Sequence, residues 1–175
     1  IITKNLARQV HREVIKQADM DAALKRIKGA PKYAALEPCD LIIESIVEQD
    51  EAKRKVFSDL KAVLRPDAIL ASNTSSISIT RLAAATDRSD KFIGLHFMNP
   101  APLMKLVEVI RGLATDQRTY DAAVHIVERL NKHVTNAEDF PAFIVNRILM
   151  PMINEAVYTL YEGVGTVESI DTAMK

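Results

Sequence analysis

The 175-residue chain lacks several features that would place it in a specialised class of protein. It has one cysteine, Cys39, which excludes an internal disulfide and fits a reducing compartment, so we expect the cytoplasm. No apolar run approaches the ~18 residues of a membrane-spanning helix, so we expect no membrane partner. The 23 basic residues balance 23 acidic residues, and this absence of net charge argues against a nucleic-acid partner.

The sequence also lacks a glycine-rich loop of the form G-x-G-x-x-G. Its five glycines are Gly29, Gly94, Gly112, Gly163 and Gly165. Such a loop lets the backbone approach the pyrophosphate of a dinucleotide at the N-terminus of a helix. The chain starts with Ile-Ile instead of Met and ends in a helical pattern, so we interpret it as part of a longer protein.

Strand-like and helix-like patterns alternate along the middle of the chain. Nearly continuous apolar segments predict buried strands at 41–47, 68–71 and 91–97, and amphipathic spacing predicts helices at 51–64 and 79–85 between them. This alternation predicts right-handed crossovers, a parallel sheet and an α/β fold. With 48% hydrophobic residues, the chain is able to bury one core, or one domain and part of a second.

Helical patterns flank this α/β region on both sides. At the start, apolar residues recur every fourth position from Ile2 to Val14, opposite a basic row of Lys4, Arg8, Arg12 and Lys16. Two interpretations of this row are open: a solvated helix face and a binding surface for phosphates. From 141 to 162, one helix face carries apolar residues and an amide: Phe143, Asn146, Met150, Ile153, Val157 and Leu160.

Polar side chains follow each predicted strand of the parallel sheet. Glu48 follows the first strand, the run Ser72–Ser76 follows the second, and His96 with Asn99 closes the third. The carboxyl ends of parallel strands meet at one edge of a sheet, where ligands bind, so we expect these groups to gather there. Ordinary turn and N-cap chemistry also explains the serine-rich run.

His96 and Glu108 each occupy a position in a short strand where an apolar residue is expected. The two strands are joined by a loop with Asn99, Pro100 and Pro102, so the two side chains are able to meet. A histidine held by a carboxylate is a common general base, because the carboxylate sets the tautomer and stabilises the protonated ring. The alternative is that both are ordinary core residues with satisfied hydrogen bonds.

Five motifs spread over nearly the whole chain resemble those of one known family. They are IIESIVEQ, ASNTSSISIT, HFMNPAPLMKLVEVI, FIVNRILMPMINEA and the closing IDTAMK. At these spacings they are similar to the 3-hydroxyacyl-CoA dehydrogenase family, and within it to the bacterial 3-hydroxybutyryl-CoA dehydrogenases. The match of several separate motifs at compatible spacing argues against a chance resemblance.

The resemblance implies a fold and a cofactor. Residues 1–138 are then part of an NAD-binding, Rossmann-like, doubly wound domain whose glycine-rich loop lies upstream of Ile1. Residues 139–175 start an all-α C-terminal domain that binds substrate and forms a homodimer. The implied cofactor is NAD, and the implied cofactor contacts are Glu48, Lys53, Ser75 and Asn99. From its spacing alone, Lys53 is equally an exposed residue on the first turn of a helix.

The resemblance also implies an activity, the interconversion of (S)-3-hydroxyacyl-CoA and 3-ketoacyl-CoA in fatty-acid or butyrate metabolism. His96 is then the base, Glu108 orients it, and Ser75 and Asn146 hold the substrate. Arg12 is the candidate for the phosphates of the CoA substrate, and no metal is expected. Two alternatives remain open: a non-catalytic scaffold or dimerisation piece, and a dehydrogenase of a hydroxy acid without CoA.

Overall fold

The computed structural model describes residues 2–175, which fall into two compact units, one ending at Ala35 and the other spanning Leu36–Lys175. The first unit consists of two helices, α1 (Ile2–His11) and α2 (Gln17–Arg26). None of the helices in the described part of the chain has the length and apolar character needed to cross a membrane.

Helix α1 is shorter than the apolar spacing predicts. Glu13 has a left-handed backbone with φ of 58°, and Val14 N donates to Gln9 O at 2.9 Å, which ends the helix. Arg12 and Lys16 therefore lie beyond α1, and the expected basic row of four residues on one helix is wrong. The sequence pattern does not show this end of the helix, because the left-handed position is occupied by glutamate, whereas glycine is the usual residue there.

The second unit contains five strands and five α-helices among its described residues. In chain order they are β1 (Leu41–Glu44), α3 (Asp50–Leu60), β2 (Ile69–Ser72), α4 (Ile79–Ala83), β3 (Phe92–Phe97), β4 (Leu106–Arg111), α5 (Gln117–Arg129), β5 (His133–Glu138), α6 (Val145–Tyr161) and α7 (Val167–Met174).

The strands form one sheet in the order β1-β2-β3-β4-β5. Strands β1, β2 and β3 are parallel, β4 is antiparallel to β3, and β5 is parallel to β4. The α/β, Rossmann-like prediction is confirmed. The first strand ends at Glu44 instead of residue 47, because Ile46 N donates to the Glu44 Oε1 atom at 2.6 Å and draws the chain out of the sheet.

Helices cover both faces of the sheet, as a doubly wound fold requires. One face packs mainly against α3 and α4, and its buried residues include Phe57, Leu60, Leu70, Ile79, Phe92 and Ile110. The other face packs against α5, and its buried residues include Ala71, Ile93, Leu95, Val107, Val109 and Val127. His96 shares the first face with Phe92, because side chains alternate along β3.

Helix α6 leaves the sheet after β5 and has a largely exposed apolar surface. Met150, Ile153, Val157 and Leu160 are all exposed in this chain. Pro151 lies inside the helix, as its position in the sequence predicts. The helical prediction for this region is confirmed.

Candidate active site

His96 and Glu108 face each other directly across the antiparallel pair β3 and β4. The His96 Nδ1 atom lies 2.7 Å from Glu108 Oε2, and both side chains are buried. The imidazole also lies against the ring of Phe143, at a centroid separation of 5.7 Å. A carboxylate accepts hydrogen bonds from N–H groups, so Glu108 favours the form of His96 that carries its proton on Nδ1. The Nε2 atom is then unprotonated and able to accept a proton.

The Nε2 atom of His96 faces the loop after β2, residues 73–76, which we call the serine-rich loop. The Ser75 Oγ atom lies 3.0 Å from His96 Nε2. Asn73 joins the same loop to β3, because its Oδ1 atom accepts a hydrogen bond from Phe97 N at 2.8 Å. Sequence reasoning placed these groups at one edge of the sheet, and the structure brings Ser75 and His96 into contact there.

Glu108 has a second partner, which is the start of helix α6. Its Oε1 atom accepts hydrogen bonds from the backbone N–H groups of Ile144 at 2.9 Å and Val145 at 3.0 Å. The first N–H groups of a helix have no partner within the helix, and a carboxylate there also interacts favourably with the helix dipole. One carboxylate therefore orients His96 and holds the beginning of α6.

Glu48 lies beyond β1 and binds the serine-rich loop. Its Oε1 atom accepts hydrogen bonds from Thr74 Oγ1, from Ser75 N at 2.9 Å, and from both the N and Oγ atoms of Ser76. Partial burial by itself would raise the pKa of Glu48, but the hydrogen bonds from Thr74, Ser75, Ser76 and Lys53 outweigh it and lower this pKa to about 2. The carboxylate is therefore ionised at neutral pH.

Lys53 is buried, so its interpretation as an exposed helix residue is wrong. Its Nζ atom lies 2.8 Å from Glu44 Oε1 and 3.3 Å from Glu48 Oε2. The residue sits in the first turn of α3, where its long side chain reaches back to the end of β1. Helix spacing alone does not reveal a carboxylate on a neighbouring strand, and this is why the sequence pattern left Lys53 ambiguous.

Glu44 is a residue of this site that the sequence interpretation missed. Its Oε2 atom accepts a hydrogen bond from Ser72 Oγ at 2.7 Å, and its side chain has no exposed surface. The signal was present, because a glutamate ends the apolar run of β1 just as Glu108 interrupts the apolar run of β4. We call Glu44, Lys53 and Glu48 the charged cluster.

Asp139 is a second missed residue, and it connects the end of β5 to α4. It accepts hydrogen bonds from Ser78 Oγ at 2.6 Å and from the N atoms of Ile79 and Thr80, both at 2.8 Å. Burial opposes ionisation of Asp139, but the hydrogen bonds from Ser78, Thr80 and Ile79 prevail and lower its pKa. Its role is structural, because it caps the helix that follows the serine-rich loop.

Two expected site residues, Asn99 and Asn146, lie outside the hydrogen-bonded cluster around His96 in the described part of the chain. Asn99 is exposed in the loop between β3 and β4, where its peptide bond to Pro100 is cis. Asn146 is half-buried at the start of α6, beside a shallow pocket with Pro141 and Pro151. Neither amide forms a hydrogen bond within residues 2–175. Arg12 is exposed in the turn after α1 of the first unit.

Comparison with known proteins identifies the family of this chain. Residues 1–140 match the family model described as "3-hydroxyacyl-CoA dehydrogenase, NAD binding domain", and residues 143–175 match "3-hydroxyacyl-CoA dehydrogenase, C-terminal domain". The chain belongs to the 3-hydroxyacyl-CoA dehydrogenase family. The resemblance inferred from the five motifs is thereby confirmed.

Individual relatives agree with this family assignment. A 3-hydroxybutyryl-CoA dehydrogenase of Bradyrhizobium diazoefficiens is 63% identical over 99% of this chain and 59% of that protein. The mitochondrial hydroxyacyl-coenzyme A dehydrogenase of Homo sapiens is 41% identical over 98% of this chain and 56% of that protein. This chain of the 3-hydroxyacyl-CoA dehydrogenase family thus spans less than two thirds of the length of either relative.

A solved structure shares the fold. The crystal structure of (S)-3-hydroxybutyryl-CoA dehydrogenase from Ralstonia eutropha superposes with a TM-score of 0.95 at 45% identity. The match covers 98% of this chain and 61% of that one. The pairing of His96 with Glu108 therefore lies within a fold that this dehydrogenase family shares.

Proposed function

We propose that this chain carries the base of an NAD-dependent oxidation of (S)-3-hydroxyacyl-CoA to 3-ketoacyl-CoA, or of the reverse reaction. The observation that supports it is the line of contacts from Glu108 Oε2 to His96 Nδ1 at 2.7 Å and from His96 Nε2 to Ser75 Oγ at 3.0 Å. An imidazole whose Nδ1 atom is held by a carboxylate and whose Nε2 atom contacts a hydroxyl group is suited to take a proton from a hydroxyl group.

His96, Glu108 and Ser75 have different roles in the proton transfer. His96 Nε2 accepts the hydroxyl proton of the substrate, and Glu108 stabilises the imidazolium that forms. Ser75 Oγ lies next to Nε2, so it is placed to bind the same substrate oxygen and to position it. Removal of water from the buried pair strengthens the attraction between imidazolium and carboxylate.

The residues present fit the nicotinamide end of NAD. Among residues 2–175, the Oε2 atom of Glu48 contacts only Lys53, and 38% of the Glu48 side chain is exposed. This oxygen is therefore free to accept a hydrogen bond from a ribose hydroxyl. Ser75 and Asn99 lie at the same edge of the sheet, as cofactor contacts would. When bound, NAD supplies the hydride acceptor for C3 of the substrate.

The remaining site assignments concern substrate and partner. Asn146, at the start of α6, is our candidate to bind the substrate, because Glu108 holds the backbone next to it. Arg12 is our candidate for the phosphates of CoA, because its guanidinium is exposed and always charged. The exposed apolar side chains of α6 favour a homodimer formed through residues 139–175, since such surfaces mark interaction sites.

The setting of the reaction follows from the same proposal. A 3-hydroxyacyl-CoA dehydrogenase of this kind serves fatty-acid or butyrate metabolism and β-oxidation. The bacterial relatives and the single cysteine support a cytoplasmic location.

The experiment uses the natural protein at its full encoded length, with acetoacetyl-CoA and NADH, and follows NADH absorbance. We expect turnover in the wild type and a loss of roughly a thousandfold in kcat for His96→Gln, the size typical of a removed general base. His125→Gln is the matched control, because His125 is an exposed histidine on α5. Near-normal turnover in His96→Gln, or no turnover in the wild type, would contradict the proposal.

A further inference from the structure

We infer that Lys132 is a positioning residue for the cofactor, which holds the loop between β3 and β4 and thereby fixes the place of Asn99. We call this loop, residues 98–105, the hairpin loop. The inference rests on the proposed function, in which Asn99 is a cofactor contact. It extends the site to a lysine in the turn between α5 and β5.

The hairpin loop has little support from the core of the protein. Residues 99–105 are all exposed, so none of their side chains is anchored in the core. Inside the loop, the N–H groups of Leu103 and Met104 donate to Pro100 O at 2.9 and 3.0 Å and close a single helical turn. A short exposed turn opens easily, because few contacts oppose its opening. Asn99 directly precedes this turn, so its position depends on what holds the turn.

Lys132 holds the turn from outside the loop. Its Nζ atom donates to Ala101 O at 2.6 Å and to Met104 O at 2.7 Å. Carbonyl groups at the end of a helical turn have no partner in the turn and carry partial negative charge, so an ammonium group is well suited to bind them. Within residues 2–175, these are the only two hydrogen bonds that join residues 99–104 to the rest of the chain.

The end of α5 fixes the position of Lys132 itself. Asn131 has a left-handed backbone with φ of 54°, which ends the helix in a conformation that asparagine tolerates. Lys132 N donates to Val127 O at 3.3 Å, and β5 then begins with His133 N, which donates to Lys105 O at 2.8 Å. The backbone is therefore held on both sides of Lys132, and its half-buried side chain reaches the loop from a fixed position.

The contact from Lys132 bears on the cofactor and leaves the proposed base alone. His96 and Glu108 face each other because of the register of β3 and β4, which does not depend on the hairpin loop. Asn99 is exposed, so its amide is accessible to a ligand. Loss of the contact should therefore weaken the binding of NAD and leave the proton transfer nearly unchanged.

The test is Lys132→Met in the full-length protein, which removes the ammonium group and keeps the length of the side chain. We expect the Kd for NADH to rise roughly tenfold, and amide hydrogen exchange at Leu103 and Met104 to become roughly tenfold faster without ligand, as for a lost charged hydrogen bond. The kcat at saturating NADH should stay within about threefold of the wild type. Lys132→Arg should keep the Kd within about threefold, because a guanidinium group also donates to two carbonyls.

Lys91→Met is the matched control. Lys91 directly precedes β3, and its Nζ atom donates to Pro66 O at 2.9 Å, at the opposite end of this strand from the hairpin loop. This variant should leave the NADH Kd and the exchange at Leu103 and Met104 unchanged. If Lys132→Met gives the same result, or lowers only the melting temperature, the inference is wrong. Lys132→Gln carries the same prediction if Lys132→Met does not fold.

A double variant tests whether Lys132 acts through Asn99. If it does, Asn99→Ala combined with Lys132→Met should have the same NADH Kd as Asn99→Ala alone, because no amide is then left to position. Additive effects on the Kd would show that Lys132 acts through another group, and the inference would be overturned.

The outcomes also separate this inference from the proposed function. A wild-type protein that binds NADH but does not reduce acetoacetyl-CoA contradicts the proposed reaction alone, since the NADH Kd of Lys132→Met is still measured. Asn99→Ala with an unchanged NADH Kd overturns the inference and leaves His96 as the proposed base. A wild-type protein that does not bind NADH overturns both.

Discussion

Glu108 and His96 lie opposite each other on antiparallel strands, and the carboxylate that holds the imidazole at 2.7 Å also holds the first turn of α6 through its other oxygen. The orientation of the proposed base and the position of the helix that carries Asn146 therefore depend on one side chain. Changes at Glu108 should affect stability and turnover together.

We predict that Glu108→Gln loses both turnover and stability. Glutamine has a single carbonyl oxygen, whereas the carboxylate accepts N–H groups from His96, Ile144 and Val145. The amide NH₂ must face at least one of these donors, so kcat should fall about a hundredfold. Stability in urea should fall by about 1–3 kcal/mol, the cost of a buried polar group without a partner.

Glu128→Gln is the control for this prediction. Glu128 is an exposed glutamate on α5, and its replacement should change neither kcat nor the urea midpoint. A Glu108→Gln variant with wild-type stability would contradict the predicted loss of stability, even if turnover is lost.

Ser75→Ala should reduce turnover with little effect on stability. The hydroxyl lies 3.0 Å from His96 Nε2, whereas the backbone N of Ser75 keeps its bond to Glu48 in the alanine variant. We expect kcat to fall about tenfold to a hundredfold and the melting temperature to stay nearly constant. Ser58→Ala, at an exposed position on α3, serves as the control. Unchanged kcat in Ser75→Ala would exclude a role for the hydroxyl in the reaction.

The acid stability of the protein should depend on Glu48. Its pKa is lowered from 4.5 to about 2 in the folded chain, so the unfolded chain binds more protons between these values. The stabilisation is complete above the unfolded pKa and is lost as the pH falls towards the folded pKa. Glu48→Gln should therefore lower the urea midpoint more at about pH 6 than at about pH 3.

Glu51→Gln is the control for the pH dependence. Glu51 is exposed on the first turn of α3, and no hydrogen bond to its side chain is present in the described chain. Its urea midpoint should follow that of the wild type at both pH values. An equal effect of Glu48→Gln at both pH values would contradict the assignment.

Gly94→Ala should destabilise the sheet beneath α4. A Cβ atom at this position would lie 2.8 Å from Ile79 Cδ1 and 2.9 Å from Ile110 Cβ, which is too close for carbon atoms. We expect a loss of about 1–3 kcal/mol, as for other overpacked cores, measured by urea unfolding. Ile79→Val removes the nearest atom and should restore part of the loss.

Gly29→Ala is the matched control for Gly94→Ala. A Cβ atom at Gly29 meets nothing within 4 Å, so alanine there should be tolerated. If both alanine variants had equal stability, the close packing of β3 against Ile79 would not explain the glycine at position 94.

Much of the site was accessible from the sequence because its key residues break a local pattern. His96 and Glu108 each interrupt an apolar strand, and the strand-to-helix turns carry Glu48 and the serine-rich run. Such breaks are visible along the chain, and the family motifs then add roles to them. Asn73, in the same run, gained a role only from the fold, through its bond to Phe97 N.

The charged cluster illustrates what the pattern does not contain. Lys53 has the spacing of an exposed helix residue, yet it is buried because α3 lies over the end of β1 and brings two carboxylates to its ammonium. Glu44 ends a strand as many exposed residues do, and its burial depends on the neighbouring strand that carries Ser72. Neither fact follows from periodicity.

Taken alone, the sequence determined the alternation of strands and helices, the polar edge of the sheet and the family, because these depend on local spacing and on short motifs. The tertiary structure decided which atoms meet. The bond from Ile144 N to Glu108 joins residues 36 positions apart, and that from Ser72 Oγ to Glu44 joins residues 28 positions apart. Such contacts depend on strand order, register and helix placement, and these are properties of the whole packed core.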